Sequence, residues 1–115
     1  MELKHYIEML FLVVLLSFGT VQQALSNDYS EEIKIADRKV ILAQYEEAKE
    51  IYQNIISSAD FSVVEAYAYY KLGSLYKKQN EPLKAKEEYE KGLLSLKKCG
   101  KTNHQIGKYL ARALL

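Results

Sequence analysis

The stretch that decides the fold runs from Ala66 to Leu93, AYAYYKLGSLYKKQNEPLKAKEEYEKGL. Small residues recur where two helices would have to approach closely, at Ala66, Gly73, Ala85 and Gly92, and large ones fill the space between them, at Tyr69, Leu72, Tyr76, Tyr89 and Leu93. Asn80-Glu81-Pro82 interrupts this pattern. The spacing predicts a helical hairpin turning at Asn80 to Pro82.

The same landmarks resemble the tetratricopeptide repeat, a helix-turn-helix unit with aromatic, Leu-Gly, aromatic, Ala and aromatic positions in fixed order. Tyr69, Leu72-Gly73, Tyr76, Ala85 and Tyr89 occupy those positions here, with Gly92 replacing the usual second-helix alanine and Lys97 standing where a closing proline is expected. Upstream, Gln44 to Ile56 resembles the second helix of another such repeat, because Ala48 and Tyr52 each precede Ala85 and Tyr89 by 37 residues. The same shift sets Ala36 against Gly73 and Ile35 against Leu72, but Glu32 against Tyr69 and Lys39 against Tyr76, so the first helix of that earlier repeat is degenerate. Ile33, Ala36, Val40 and Ala43 form its stripe at spacings of three and four, widened by Ile35, Ile41 and Leu42. Downstream, Leu110, Ala111 and Leu114 echo Leu72, Gly73 and Tyr76 at an offset of 38. The fold expected is all-α, a tetratricopeptide-like solenoid of about five helices: a degenerate repeat over residues 27–61, the best-matching repeat over 62–99, and a capping or half-repeat helix over 102–115.

Local signals place the helix starts. Asp28 with Glu31, Ser62 with Glu65, and Thr102 with Gln105 each have the spacing of a capping box. Thr102 would open a fifth helix from Asn103 to about Leu114, with Lys108 and Arg112 outward and the apolar stripe inward. Gly100 is suited to a left-handed helix end, with Lys97 and Lys98 beside the negative end of the helix dipole.

Residues 1–26 read as a targeting segment. Lys4 lies in a short polar start, an apolar run extends from Met9 to Val21, and Ala24 with Ser26 gives the small-x-small pattern of a cleavage site. The run is short for a bilayer span. Glu2 and Glu8 leave the start barely positive, which keeps an uncleaved signal anchor open beside a cleaved signal peptide. The expectation is an exported chain, periplasmic or secreted, or one anchored by that segment. An extracytoplasmic sensor portion of a longer signalling protein and a homo-oligomeric assembly factor are the alternatives to a free-standing scaffold.

Nearly half of the 115 residues are hydrophobic and 27% are charged, a globular composition rather than a disordered one. The charge is unevenly placed. From Asn27 to Glu65 four basic residues meet nine acidic ones, while from Ala66 onward eleven basic residues meet four acidic ones. Such a distribution steers acidic partners to the C-terminal half or biases self-association.

Catalysis needs several groups brought together with tuned proton affinities, and the sequence offers few. His5 lies in the targeting segment, His104 stands alone, Cys99 has no second cysteine, and Ser57, Ser58 and Ser74 have no histidine in register. Glu87, Glu88 and Glu90 beside Lys84, Lys86 and Lys91 read as a solvated face with pairs three and four apart. No enzyme, cofactor, metal site or nucleic-acid interface is expected. The repeat resemblance instead implies a groove lined by the first helix of each hairpin. By helix phase that groove carries Tyr67, Tyr70, Ser74, Lys77 and Lys78, continued by Lys108 and Arg112. Family members that clamp a C-terminal carboxylate use lysine and asparagine pairs where Tyr70 and Ser74 stand here, so that activity is not implied. The partner expected is a protein or peptide with acidic groups and aromatic or proline content.

Overall fold

A computed structural model describes residues 29–59, 62–101 and 103–115. Among them the chain forms five helices: α1 (Ser30–Ile41), α2 (Tyr45–Ala59), α3 (Val63–Lys78), α4 (Pro82–Lys98) and α5 (Gln105–Ala113). Consecutive helices pack on one another, and α3 also touches α5. This order is two antiparallel hairpins, α1–α2 and α3–α4, stacked side by side with α5 against the second.

Two apolar clusters hold the stack. Ala36, Ala48, Tyr52, Leu72 and Leu75 join α1, α2 and α3. Ala66, Ala85, Tyr89, Leu96, Ile106 and Leu110 join α3, α4 and α5. Tyr76 packs against both. Burying side chains of this size contributes roughly 1.5–3 kcal/mol each, which makes the helix interfaces, rather than helix propensity, the source of order. Close approach at the hairpin is enforced by Gly73: a Cβ there would lie 2.6 Å from Tyr89 Cε1 and 3.1 Å from the Ala85 carbonyl oxygen.

Three helix ends share one device. After α1, Ala43 N–H donates to Val40 O and Gln44 N–H to Lys39 O; after α3, Asn80 N–H donates to Lys77 O and Glu81 N–H to Tyr76 O; after α4, Gly100 N–H donates to Lys97 O and Lys101 N–H to Leu96 O. This bond pair needs a left-handed residue at the turn, and φ is +60° at Ala43, +65° at Asn80 and +70° at Gly100. Ala43 precedes Asn80 by the same 37 residues that relate the two hairpins. Pro82 then opens α4 at its first turn.

Ser62 caps α3 as the spacing predicts, its Oγ accepting from Glu65 N–H at 3.3 Å. Glu65 itself is buried and its carboxylate accepts a hydrogen bond from Ser95 Oγ at 3.1 Å, tying the start of α3 to α4. Elsewhere the boundary expectations need correction. The α5 helix starts at Gln105 rather than Asn103, and its cap is His104, whose Nδ1 accepts from Ile106 N–H at 3.2 Å. The first residue of the Thr102 box and that of the Asp28 box both lie outside the described residues. The α1 helix begins after Tyr29, a left-handed residue with no side-chain cap. Ile35, Ile41 and Leu42 do not widen a buried stripe; they are 44%, 79% and 61% exposed. Glu88 is buried against the hairpin and bonded to Lys91, so the acidic run of α4 is only partly a solvated face. Cys99 is half-buried, its thiol donating to Leu96 O. The targeting segment also lies outside the described residues, and among those described no helix is long and apolar enough to cross a membrane.

Candidate protein-binding face

The first helices of the units, α1, α3 and α5, line one face. Tyr70 sits at its centre, its ring centroid 5.9 Å from that of Tyr89, 6.0 Å from Tyr109 and 6.5 Å from Tyr67. The tilted rings carry the face from α3 across to α5 and down to α4. Ser74, one turn beyond Tyr70, shares a hydrogen bond of 3.2 Å with the Tyr89 hydroxyl. Ser74 is therefore partnered into the hairpin as well as facing the surface.

Across α3 towards α1 the floor is ionic. Tyr52 Oη donates to Asp37 Oδ1, and Lys71 Nζ donates to Asp37 Oδ2 at 3.2 Å. The same ammonium lies 5.4 Å above the Tyr67 ring. Burial, reinforced by the Asp37 hydrogen bond and charge, pushes the Tyr52 phenol well above its ordinary value. Burial alone would lower the Lys71 ammonium, but Asp37 and Tyr67 outweigh it and the net direction is up. Both groups stay in their protonated forms through neutral pH, and both Asp37 oxygens are occupied.

Above this floor Asp37, Val40, Ile41, Lys71, Ser74 and Lys78 surround a cavity of about 390 Å³ between α1 and α3, with Tyr52 and Leu75 closing its base. A second recess of about 150 Å³ lies on the α5 side of α3, with Lys77 and Lys86 at its edge and Tyr89, Pro82 and Leu114 below. Lys77, Lys78, Lys108 and Arg112 are exposed.

The sequence-derived set thus divides. Tyr67, Tyr70 and Ser74 meet in one ring and hydroxyl cluster, and Lys77 and Lys78 edge the two recesses, one on each side of α3. Lys108 and Arg112 are exposed on α5 but line neither recess. Sequence reasoning missed Asp37, Tyr52, Lys71 and Tyr109. A signal for two of them was present: Asp37 and Tyr52 each precede Ser74 and Tyr89 by 37 residues. The hydroxyl bond of one hairpin is therefore repeated in the other with Asp in place of Ser. Lys34 precedes Lys71 by the same 37 residues but pairs with Glu31, so the register did not single Lys71 out, and at the offset of 38 Tyr109 falls on Lys71, a different residue type.

No group of three His, Cys, Asp or Glu placed to hold a metal ion occurs among the described residues. Residues 66–95, spanning most of α3 and α4, match the family model described as Tetratricopeptide repeat. With its stacked all-helical hairpins, the chain is a tetratricopeptide-like helical repeat protein. Tetratricopeptide repeats are a non-catalytic protein-interaction fold, and the matched repeat suggests a protein-binding scaffold module. No curated protein and no solved structure matches the chain.

Proposed function

We propose that this chain is an exported scaffold module that binds an acidic protein segment across the α1–α3–α5 face. The observation that carries this reading is the charge of that face: Asp37 is held by Tyr52 and Lys71, while Lys77 and Lys78 at the end of α3 and Lys108 and Arg112 on α5 are exposed. Tyrosine rings give large contact area with a polar edge, and unpaired cations attract a segment of opposite sign. Export is supported by the apolar run from Met9 to Val21 followed by Ala24 and Ser26.

Binding is tested by fluorescence anisotropy with a labelled peptide of alternating glutamate and proline around one tyrosine. The double substitution Tyr70→Ala, Lys77→Ala should lower affinity with helical circular dichroism retained, and affinity should fall as salt rises. Binding equal to that of the unsubstituted chain would move the site off this face. Export is tested by the intact mass of the chain recovered from extracytoplasmic fractions. A mass beginning at Asn27 fits a cleaved signal, and a full-length chain confined to the cytoplasm would contradict export.

A further inference from the structure

Between the start of α1 and the facing side of α2 lies a recess of about 460 Å³, lined by Tyr29, Glu32, Ile51, Asn54 and Ser58. It shares no residue with the cavity between α1 and α3 or with the tyrosine cluster around Tyr70. The 37-residue register accounts for the open space. Glu32, Ile51, Asn54 and Ser58 stand where the second hairpin has Tyr69, Glu88, Lys91 and Ser95. There Tyr69 is packed between α3 and α4, its Cβ 3.2 Å from where a side chain on Gly92 would begin. Burial, with Glu65 and Glu88 beside it, holds the Tyr69 phenol above its ordinary value. The first hairpin has a carboxylate in place of that ring.

The polar groups of this recess are unengaged. Among the described residues the side chains of Tyr29, Glu32 and Asn54 make no hydrogen bond or ion pair; only Ser58 is committed, its Oγ donating to the Asn54 backbone carbonyl. The lysines of this hairpin are turned elsewhere, Lys34 to Glu31, Lys39 to Glu47 and Lys49 to Glu46. We propose that the recess binds a small aromatic amine, its ring against Ile51 and Tyr29 where the second hairpin carries its own Tyr69, and its ammonium on Glu32 and the Asn54 side-chain oxygen. The volume falls within the range of pockets that enclose small ligands. Glu32 is exposed, so water screens its charge and the ion pair adds modestly, leaving the buried ring as the larger contribution. An alkylamine leaves the ring space empty, and an aromatic carboxylate is repelled by Glu32. On a protein the same chemistry is a tyrosine followed by a lysine.

The test is a methyl and amide NMR titration of the full chain with tyramine, propylamine and 4-hydroxyphenylpropionate. With tyramine, saturable shifts are expected at the Ile51 methyls and at the Tyr29, Asn54 and Ser58 amides, with none at Lys77 or Lys78. Propylamine should bind at least about tenfold more weakly, the loss expected on removing one buried ring, and the aromatic carboxylate several-fold more weakly. Glu32→Gln should weaken tyramine roughly two- to fivefold and leave 4-ethylphenol unchanged. Glu32→Tyr places in the first hairpin the ring that the second already has, and should raise the urea midpoint while abolishing the tyramine shifts. A blocked Gly-Tyr-Lys-Gly peptide separates the two sources of this chemistry: binding tighter than tyramine assigns the recess to a protein segment, and binding no tighter assigns it to a free amine. Equal binding of tyramine and propylamine, or a Glu32→Tyr chain that binds tyramine as the parent does, would overturn the site. Either failure leaves the acidic-partner reading standing, because the α1–α3–α5 groups that carry it are not part of this recess.

Discussion

Two glycines at helix contacts predict opposite responses to the same substitution. Replacing a mid-helix glycine by alanine gains about 1 kcal/mol of helix propensity, so the sign of the net effect reports the packing. At Gly73 the added methyl would sit 2.6 and 2.8 Å from two ring carbons of Tyr89 and 3.1 Å from the Ala85 carbonyl. Tyr89 is 4% exposed, bonded to Ser74 and tilted against the Tyr70 ring, and the carbonyl is backbone, so neither moves freely. Overpacking of this kind costs roughly 1–3 kcal/mol, which exceeds the propensity gain over most of that range. At Gly92 the nearest atoms are the two terminal methyls of Leu110, at 3.0 and 3.1 Å, and Tyr69 Cβ at 3.2 Å. Each overlap is relieved by a few tenths of an ångström shared between the Leu110 methyls and the α3 backbone at Tyr69, a smaller overlap than at Gly73. Gly73→Ala should therefore lose up to about 2 kcal/mol, up to about 16 °C in Tm for a domain of this size, and Gly92→Ala should be neutral or gain up to about 1 kcal/mol. Urea melts followed by circular dichroism at constant m-value measure both. A Gly73→Ala chain more stable than the parent by the full propensity gain would refute the α3–α4 contact on which the stack is built.

Ala43→Gly should stabilise the chain by about 0.5–1 kcal/mol, because Ala43 holds a φ of +60° that costs an alanine about 1–2 kcal/mol and a glycine little, less the extra freedom of glycine in the unfolded chain; a lower urea midpoint would place a different residue at the turn. Tyr52, with its phenol held above the ordinary value, contributes stability that is complete below about pH 10 and is lost as pH rises beyond that, when unfolded chains ionise and the folded one does not. Lys71, whose ammonium is also held up, adds a loss of the same sign. Tyr52→Phe should cost about 1 kcal/mol at pH 7 through the lost hydrogen bond and flatten the decline above pH 10, which stability measured from pH 7 to 11 reads directly.

The hairpin was legible because its punctuation is chemical: Gly73 and Ala85 at the contact, Asn80 in the left-handed position, Pro82 at the first turn of α4. The degenerate α1 helix was legible in outline only. Its Ala36 stands in the contact position of Gly73 and is fully buried, but Ile35, equivalent by period to the buried Leu72, lies open because no preceding hairpin among the described residues covers it. Periodicity records which residues share a face and says nothing of whether a neighbour is there. The start of α5 was misplaced because Thr102 and Gln105 have the spacing of a box, whereas the helix opens at Gln105 with the His104 ring accepting from Ile106 N–H. In the binding face, helix phase found the tyrosines and lysines of α3, which share one helix. It could not find the Asp37–Lys71 pair, whose members lie 34 residues apart on different helices, because that contact exists only once the hairpins are stacked.

The central claim is that a partner is held on the face of α1, α3 and α5 and not on the outer surface of α4. Site-specific photocrosslinking in the native host addresses it most directly, with a photoreactive phenylalanine analogue placed in turn at Tyr70, Lys78, Glu87 and Leu94. Adducts to one common partner from positions 70 and 78, with none from 87 and 94, are the predicted result. Adducts from 87 or 94 with positions 70 and 78 silent would contradict it.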